Sequence, residues 1–173
     1  MHPAVAVAVL TTLACLFIMG GEAVLSAFNE RQLRARGAVE PRGDVIDIMR
    51  WAYPGAFIAM GIEGALGGPA PRPVLIAGLA LFGAAKALKV WAISSLGAKW
   101  SYRVLVVPGE PLVTSGPYRY LSHPNYLAVV GEIASVAMIV WAPITGVLSL
   151  IAFGMLMIAR IRIEDKALGR GAR

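Results

Sequence analysis

Five apolar stretches, at about 4–28, 51–68, 73–96, 124–141 and 143–160, occupy most of a 173-residue chain. Each approaches the roughly 20 residues that a helix needs to cross about 30 Å of hydrocarbon. A backbone in lipid must satisfy its own hydrogen bonds, which leaves helices as the structure these stretches can adopt. With 58% hydrophobic and 15% charged residues, the chain exceeds what a soluble core requires. The expectation is an all-α polytopic membrane bundle of about five transmembrane helices, forming one domain over residues 1–173. A three-helix part (1–96) precedes a loop, helical hairpin and tail (97–173). The run from Ala4 to Phe28 is read as a retained first span and not a secretory leader, since residues 1–3 carry no Lys or Arg.

Breaks between the stretches are written in proline and glycine. Gly67-Gly68-Pro69-Ala70-Pro71-Arg72-Pro73 separates the second span from the third, and Trp141-Ala142-Pro143 folds the last two spans into a short hairpin. Gly55, Gly61, Gly64, Gly78, Ala80 and Ala84 are expected to let helices approach closely. The net charge of +6 falls on alternate connections. Arg31, Arg34, Arg36, Arg42 and Arg50 lie in one; Lys99, Arg103 and Arg119 in the next; Arg160, Arg162, Lys166, Arg170 and Arg173 in the tail. The positive-inside rule then puts the N-terminus outside and the C-terminus in the cytoplasm. These basic residues are not interleaved with aromatics on a polar face, which argues against a nucleic-acid partner. Lys86 and Lys89 are read as snorkelling to the cytoplasmic rim. A single cysteine, Cys15, excludes an internal disulfide and a four-cysteine zinc site, and no metal is expected.

Chemistry must come from the polar residues that remain. Glu22, Glu63 and Glu132 are carboxylates within apolar spans, each either paired or part of a site; for Glu63 a structural role is expected. His123-Pro124-Asn125-Tyr126 opens the fourth span, with Pro124 suited to the first helical turn and free backbone donors at the helix start. Folding back at Pro143 returns Arg160 and Glu164, four apart on one helix face, to the level of His123. Two polar clusters distant in sequence are thus expected to meet on one rim.

Leu112-Val113-Thr114-Ser115-Gly116-Pro117-Tyr118, His123-Pro124-Asn125-Tyr126, and Arg160 with Glu164 resemble, in order and spacing, the isoprenylcysteine carboxyl methyltransferase family of integral membrane enzymes. Ser94, Leu96, Gly97, Trp100 and Val107-Pro108-Gly109 resemble its bacterial branch, with methyltransferases of alkylpyrone and alkylresorcinol hydroxyls; Glu22, Asn29, Gly37 and Glu40 do so more loosely. The resemblance implies S-adenosylmethionine lined by Glu110, Pro111, Leu112, Val113, Tyr118, His123, Pro124, Asn125, Tyr126 and Glu164, with Arg103 near a further contact position. Arg160 falls at the family's substrate arginine. The family usually has arginine before His-Pro, where this chain has Ser122; the task would pass to Arg119 or to the helix N-terminus.

The implied acceptor is a lipophilic small molecule met at the cytoplasmic face of a bacterial plasma membrane, with membrane lipid as the other partner. Glu132 either takes the hydroxyl proton or orients the head, with Glu22 the second candidate, or else it braces the bundle. An NADPH-dependent reductase of sterol-reductase type and a non-catalytic transporter or assembly protein are the alternatives. The first would want more basic residues for a 2′-phosphate, the second polar groups near the midplane.

Overall fold

A computed structural model describes residues 2–169. Arg170 and Arg173 of the basic tail lie outside them. The chain forms five α-helices: α1 (Pro3–Ala35), α2 (Ile46–Gly67), α3 (Arg72–Leu96), α4 (Pro124–Val140) and α5 (Pro143–Ala167). Among the described residues there is no strand, only an isolated antiparallel bridge between Val39 and Val106. The all-α expectation holds.

By length and composition, α1, α3 and α5 can each cross a membrane, and α4 is apolar but only 17 residues long. Helix α2 has 22 residues and carries Asp47, Arg50 and Glu63 along its length. The chain is an integral membrane protein.

Helix α1 overruns its expected end at Phe28 by two turns, and at 33 residues it is about 50 Å long. The extra turns continue because their polar side chains fasten the chain that follows α3. Asn29 Nδ2 donates to the carbonyl of Trp100 at 2.8 Å. Ser26 Oγ accepts from the Tyr102 N–H at 2.8 Å and donates to Glu30 at 2.8 Å. Gly37 (φ +80°) then turns the chain away, where a side chain would be strained. Helix α2 begins earlier than expected, at Ile46, whose N–H donates to Asp44 Oδ1 at 3.1 Å.

The proline and glycine breaks fall as expected. Trp141 closes α4 in the left-handed region (φ 58°) and donates its N–H to Ala137 before Pro143 opens α5. Of the small residues expected to pack, Gly61, Gly64 and Gly78 are buried, whereas Gly55, Ala80 and Ala84 are exposed. A Cβ on Gly64 would sit 2.1 Å from the Val140 carbonyl, so α2 crosses the end of α4 at backbone contact. Gly131 meets Ala85 across the α3–α4 face instead. Spacing alone does not say which face of a helix is turned inward.

Glu63 is structural, as expected. From α2 it accepts the N–H groups of Ile144 at 3.0 Å and Thr145 at 2.7 Å, capping α5 from a neighbouring helix. Glu63→Ala should cost about 1–2 kcal/mol, the value of a lost N-cap. The check is the unfolding midpoint in mixed micelles, with ligand binding at the opposite end unchanged.

Candidate active site

The α4–α5 hairpin has legs of matched length, so Arg160 on α5 comes level with Pro124 at the start of α4. The next turn brings Glu164 and Asp165 against the His-Pro segment. Tyr126 Oη donates to Glu164 at 2.7 Å, His123 Nδ1 lies 3.7 Å from the same carboxylate, and His123 Nε2 lies 3.1 Å from Asp165. The rings of His123 and Tyr126 stack at 5.4 Å. His123 ends the loop as the N-cap residue of α4 with no side-chain cap, and Pro124 is its first helical residue. Arg160 and Glu164 turn to different partners despite sharing a helix face.

Arg160, 6% exposed, is aimed elsewhere in the same space. It donates to the backbone carbonyl of Tyr102, lies 3.6 Å from Asp44 and touches the Met49 sulfur at 3.8 Å. Its Nε is buried without a hydrogen-bond partner among the described residues, as is Asn125 Oδ1. An unmet donor and an unmet acceptor therefore lie at one end of the bundle, where a ligand would satisfy both.

These groups line one cavity of about 710 Å³, within the range of small-molecule sites. Glu110, Pro111, Leu112, Val113, Tyr118, His123, Asn125, Tyr126, Arg160 and Glu164 all lie on its wall, and Ser122 joins them. Pro124 is buried beneath the wall and shapes the turn. Arg119 is exposed over the Tyr120 ring and is not on the wall, so of the two substitutes for the family arginine only the α4 N-terminus faces the cavity region. Inward from this polar rim the lining turns apolar, with Met19, Met49, Val129 and Phe153.

The rim is latched to the α1–α2 connection. Glu110 pairs with Arg36 and, at 3.0 Å, with Lys99. Arg103 is held by Glu40 at 2.6 Å, Asp47 at 3.1 Å and Glu30 at 3.7 Å, so its guanidinium fixes the loop around the cavity. Burial alone would raise the Glu40 carboxyl, but hydrogen bonds from Arg34 and Arg103 hold it below its ordinary value of 4.5. A depressed carboxylate stabilises the fold above its unfolded-state pKa, and that contribution disappears as pH falls through the folded-state value. The difference in melting midpoint between wild type and Glu40→Gln should therefore be present at neutral pH and close on acidification below about 4.5. A difference independent of pH would contradict this.

At the inner end lies an arrangement that the sequence reading missed. Lys86 and Lys89 do not snorkel. Lys89, 2% exposed, lies 2.8 Å from Glu22 and 2.9 Å from Glu132, while Lys86 lies 3.3 Å and 2.8 Å from the same two carboxylates. Tyr53 Oη donates to Glu132, and Tyr102 Oη donates to Glu22 at 3.3 Å. Burial, then the Glu22 charge, pushes the Tyr102 phenol well above its ordinary value, so it stays a donor. Two ammonium groups balance two carboxylates, which is how charge survives inside a helix bundle. Glu132 itself is not on the cavity wall. It reaches the cavity only through Tyr53 and Lys89, which both line it. Asp44, the buried partner of Arg160, was also missed; its place two residues before α2, after a glycine, is the one signal that marks it.

The sequence profile of the isoprenylcysteine carboxyl methyltransferase (ICMT) family matches residues 77–170, from within α3 to the tail. The chain belongs to this family. The match contains both halves of the His123–Glu164 meeting point, the two lysines of the inner cluster and Glu132. Among curated proteins, the uncharacterized protein YpbQ of Bacillus subtilis (strain 168) is 33% identical over 147 residues, covering 85% of this chain and 88% of that protein. An uncharacterized protein of Haemophilus influenzae is 23% identical over 159 residues, covering 91% and 92%. Membership in the ICMT family makes the protein a membrane methyltransferase by kind, with the latched cavity as its candidate active site.

Proposed function

We propose that the protein is an S-adenosylmethionine-dependent O-methyltransferase acting on the hydroxyl or carboxylate of a lipophilic acceptor. A polyketide-type head such as an alkylpyrone or alkylresorcinol is preferred over an isoprenoid one. The observation that carries this reading is one cavity with a polar rim, where Asn125 Oδ1 and Arg160 Nε are unmet, and a largely apolar interior that ends at Lys89 and Tyr53. Basic connections on the cavity side favour placing that rim at the cytoplasmic face of a bacterial plasma membrane.

The residues present suit the methyl donor. S-adenosylmethionine, when bound, supplies a methyl group carried on a positively charged sulfur. The Glu164 carboxylate complements a cation, and the Asn125 oxygen accepts from an amine. The uncapped N-terminus of α4 offers backbone donors to a carboxylate, the task left open by Ser122. Glu110 to Val113 enclose the group from the loop side, with Glu110 fixed by Arg36 and Lys99. Arg160 holds an anionic acceptor oxygen through charge-assisted hydrogen bonds, its orientation set by Asp44 and the Tyr102 carbonyl. Transfer from sulfur to oxygen is an in-line displacement, so these residues act by alignment and by excluding water. Glu132 is a positioning residue, acting through Tyr53 and Lys89.

Incubating the protein in nanodiscs with methyl-labelled S-adenosylmethionine and long-chain phenols, hydroxypyrones and carboxylates tests this. Label should enter the organic phase with at least one of them. No transfer to any of the panel, together with no binding of the labelled donor, would overturn the proposal.

A further inference from the structure

The wall of the cavity is not equally firm all round. The long loop between α3 and α4 is pinned at both of its ends by buried groups. Trp100 and Val104 are buried at one end, where Asn29 and Ser26 of α1 hold the backbone of Trp100 and Tyr102. At the other, Pro117 is buried and a Cβ on Gly116 would collide with Ser95. Between these anchors no residue from 105 to 115 is buried. Yet this stretch supplies the loop side of the wall, with Val107, Glu110 and Leu112 among its lining residues.

The polar contacts that hold the stretch down come from the α1–α2 connection and from Lys99. Val39 and Val106 exchange both backbone hydrogen bonds, at 2.8 and 3.0 Å, as an isolated bridge, and Val39 is 59% exposed. Glu110 pairs with Arg36 and, at 3.0 Å, with Lys99, whose Nζ also donates to the Pro111 carbonyl at 3.0 Å. These three charged side chains are between 26% and 42% exposed. Ion pairs so open to water are individually weak and are screened by salt. Few buried contacts and accessible backbone hydrogen bonds mark a segment that opens locally, before the helices do. Gly109 turns the chain at its tip in the left-handed region (φ +81°), with open space around it.

We propose that residues 105–115 form a flap, buckled by Val39, Arg36 and Lys99, whose opening admits and releases the methyl donor. Helices fixed by buried side chains do not part as easily, so a group enclosed by Glu110 to Val113 exchanges where the wall is weakest. Closing the flap excludes water around the donor during transfer. Because Glu110 is fastened by charge pairs, salt favours opening. The role of the flap rests on the cavity being the donor site of the proposed methyltransferase; its motion does not.

Hydrogen exchange on the full chain in nanodiscs follows the flap without any ligand. Backbone amides within 105–110 should exchange well before those of α4, and faster still when salt is raised. A disulfide can lock the motion, since a hydrogen-bonded antiparallel pair has Cα atoms about 5.5 Å apart, within disulfide reach. Val39→Cys/Val106→Cys, in a Cys15→Ala background, should lose the fast exchange on oxidation and regain it on reduction. Release of labelled S-adenosylhomocysteine is the second arm. The oxidised double variant should retain it through the time in which the reduced form lets it go. Arg36→Ala, which needs no disulfide to form, should release it about 2–5-fold faster than wild type, the worth of an exposed ion pair. Flap amides as protected as those of α4 in wild type, or one release rate shared by the oxidised, reduced and Arg36→Ala proteins, would overturn the proposal. Donor binding with such a rigid flap would leave the methyltransferase reading standing. A flap that opens and locks as described, in a protein that binds no S-adenosylhomocysteine, would do the reverse.

Discussion

Replacing Glu132 with leucine is expected to cost the protein about 3–5 kcal/mol, the largest stability loss of any single change considered. The carboxylate is 1% exposed and faces Lys86 at 2.8 Å and Lys89 at 2.9 Å. Without it, two ammonium groups share Glu22 alone, inside helices that lie in lipid. One positive charge is then left without its own carboxylate. Glu132→Gln should cost less, because the amide still accepts from Tyr53. Glu132→Leu combined with Lys89→Met should recover much of the loss, since the remaining Lys86–Glu22 pair is balanced. Unfolding midpoints in a graded detergent mixture measure all three. A single leucine variant no less stable than the double one would show that charge balance does not hold the cluster together.

The second large effect concerns binding. Glu164 lies within 2.7 Å of Tyr126 and 3.7 Å of His123, and its removal takes away the carboxylate that joins the α4 entrance to the α5 tail. Glu164→Ala should weaken donor binding by about 10–100-fold, the range for one hydrogen bond to a charged group. Its stability should change little, because the group lies at the rim and is a quarter exposed. Tyr126→Phe removes only the neutral side of the contact and should cost less affinity than Glu164→Ala. Equal losses for the two would mean that the hydroxyl, and not the carboxylate, meets the ligand.

Much of this was legible in the sequence because it depends on one-dimensional signals. Apolar runs give the helices, Pro143 gives the hairpin, and equal leg lengths bring Glu164 to His123 and Arg160 level with Pro124. The inner cluster was not legible for a definite reason. Hydropathy reports how deep a residue lies along a helix but not which way it faces, and for Lys89 the cheap assumption at that depth is an escape to the headgroups. Its partners Glu22 and Glu132 come from α1 and α4, so only tertiary packing shows that these two carboxylates and the two lysines, four separately expensive groups, cancel one another. The same ambiguity of facing put Gly55, Ala80 and Ala84 on the wrong side. The true ends of α1 and α5 were obscured because their last turns are polar; they remain helical by fastening loops, as Asn29 does for Trp100.

The proposed methyl-donor site requires the His123 segment and the Glu164 turn to act together. Titration calorimetry of the purified chain with S-adenosylmethionine, S-adenosylhomocysteine and NADPH, repeated with Glu164→Ala at a matched melting midpoint, measures this. Saturable binding of the two sulfur compounds by wild type, sharply weakened in the variant, is the predicted result. Binding of NADPH alone, or donor binding indifferent to Glu164, would contradict it.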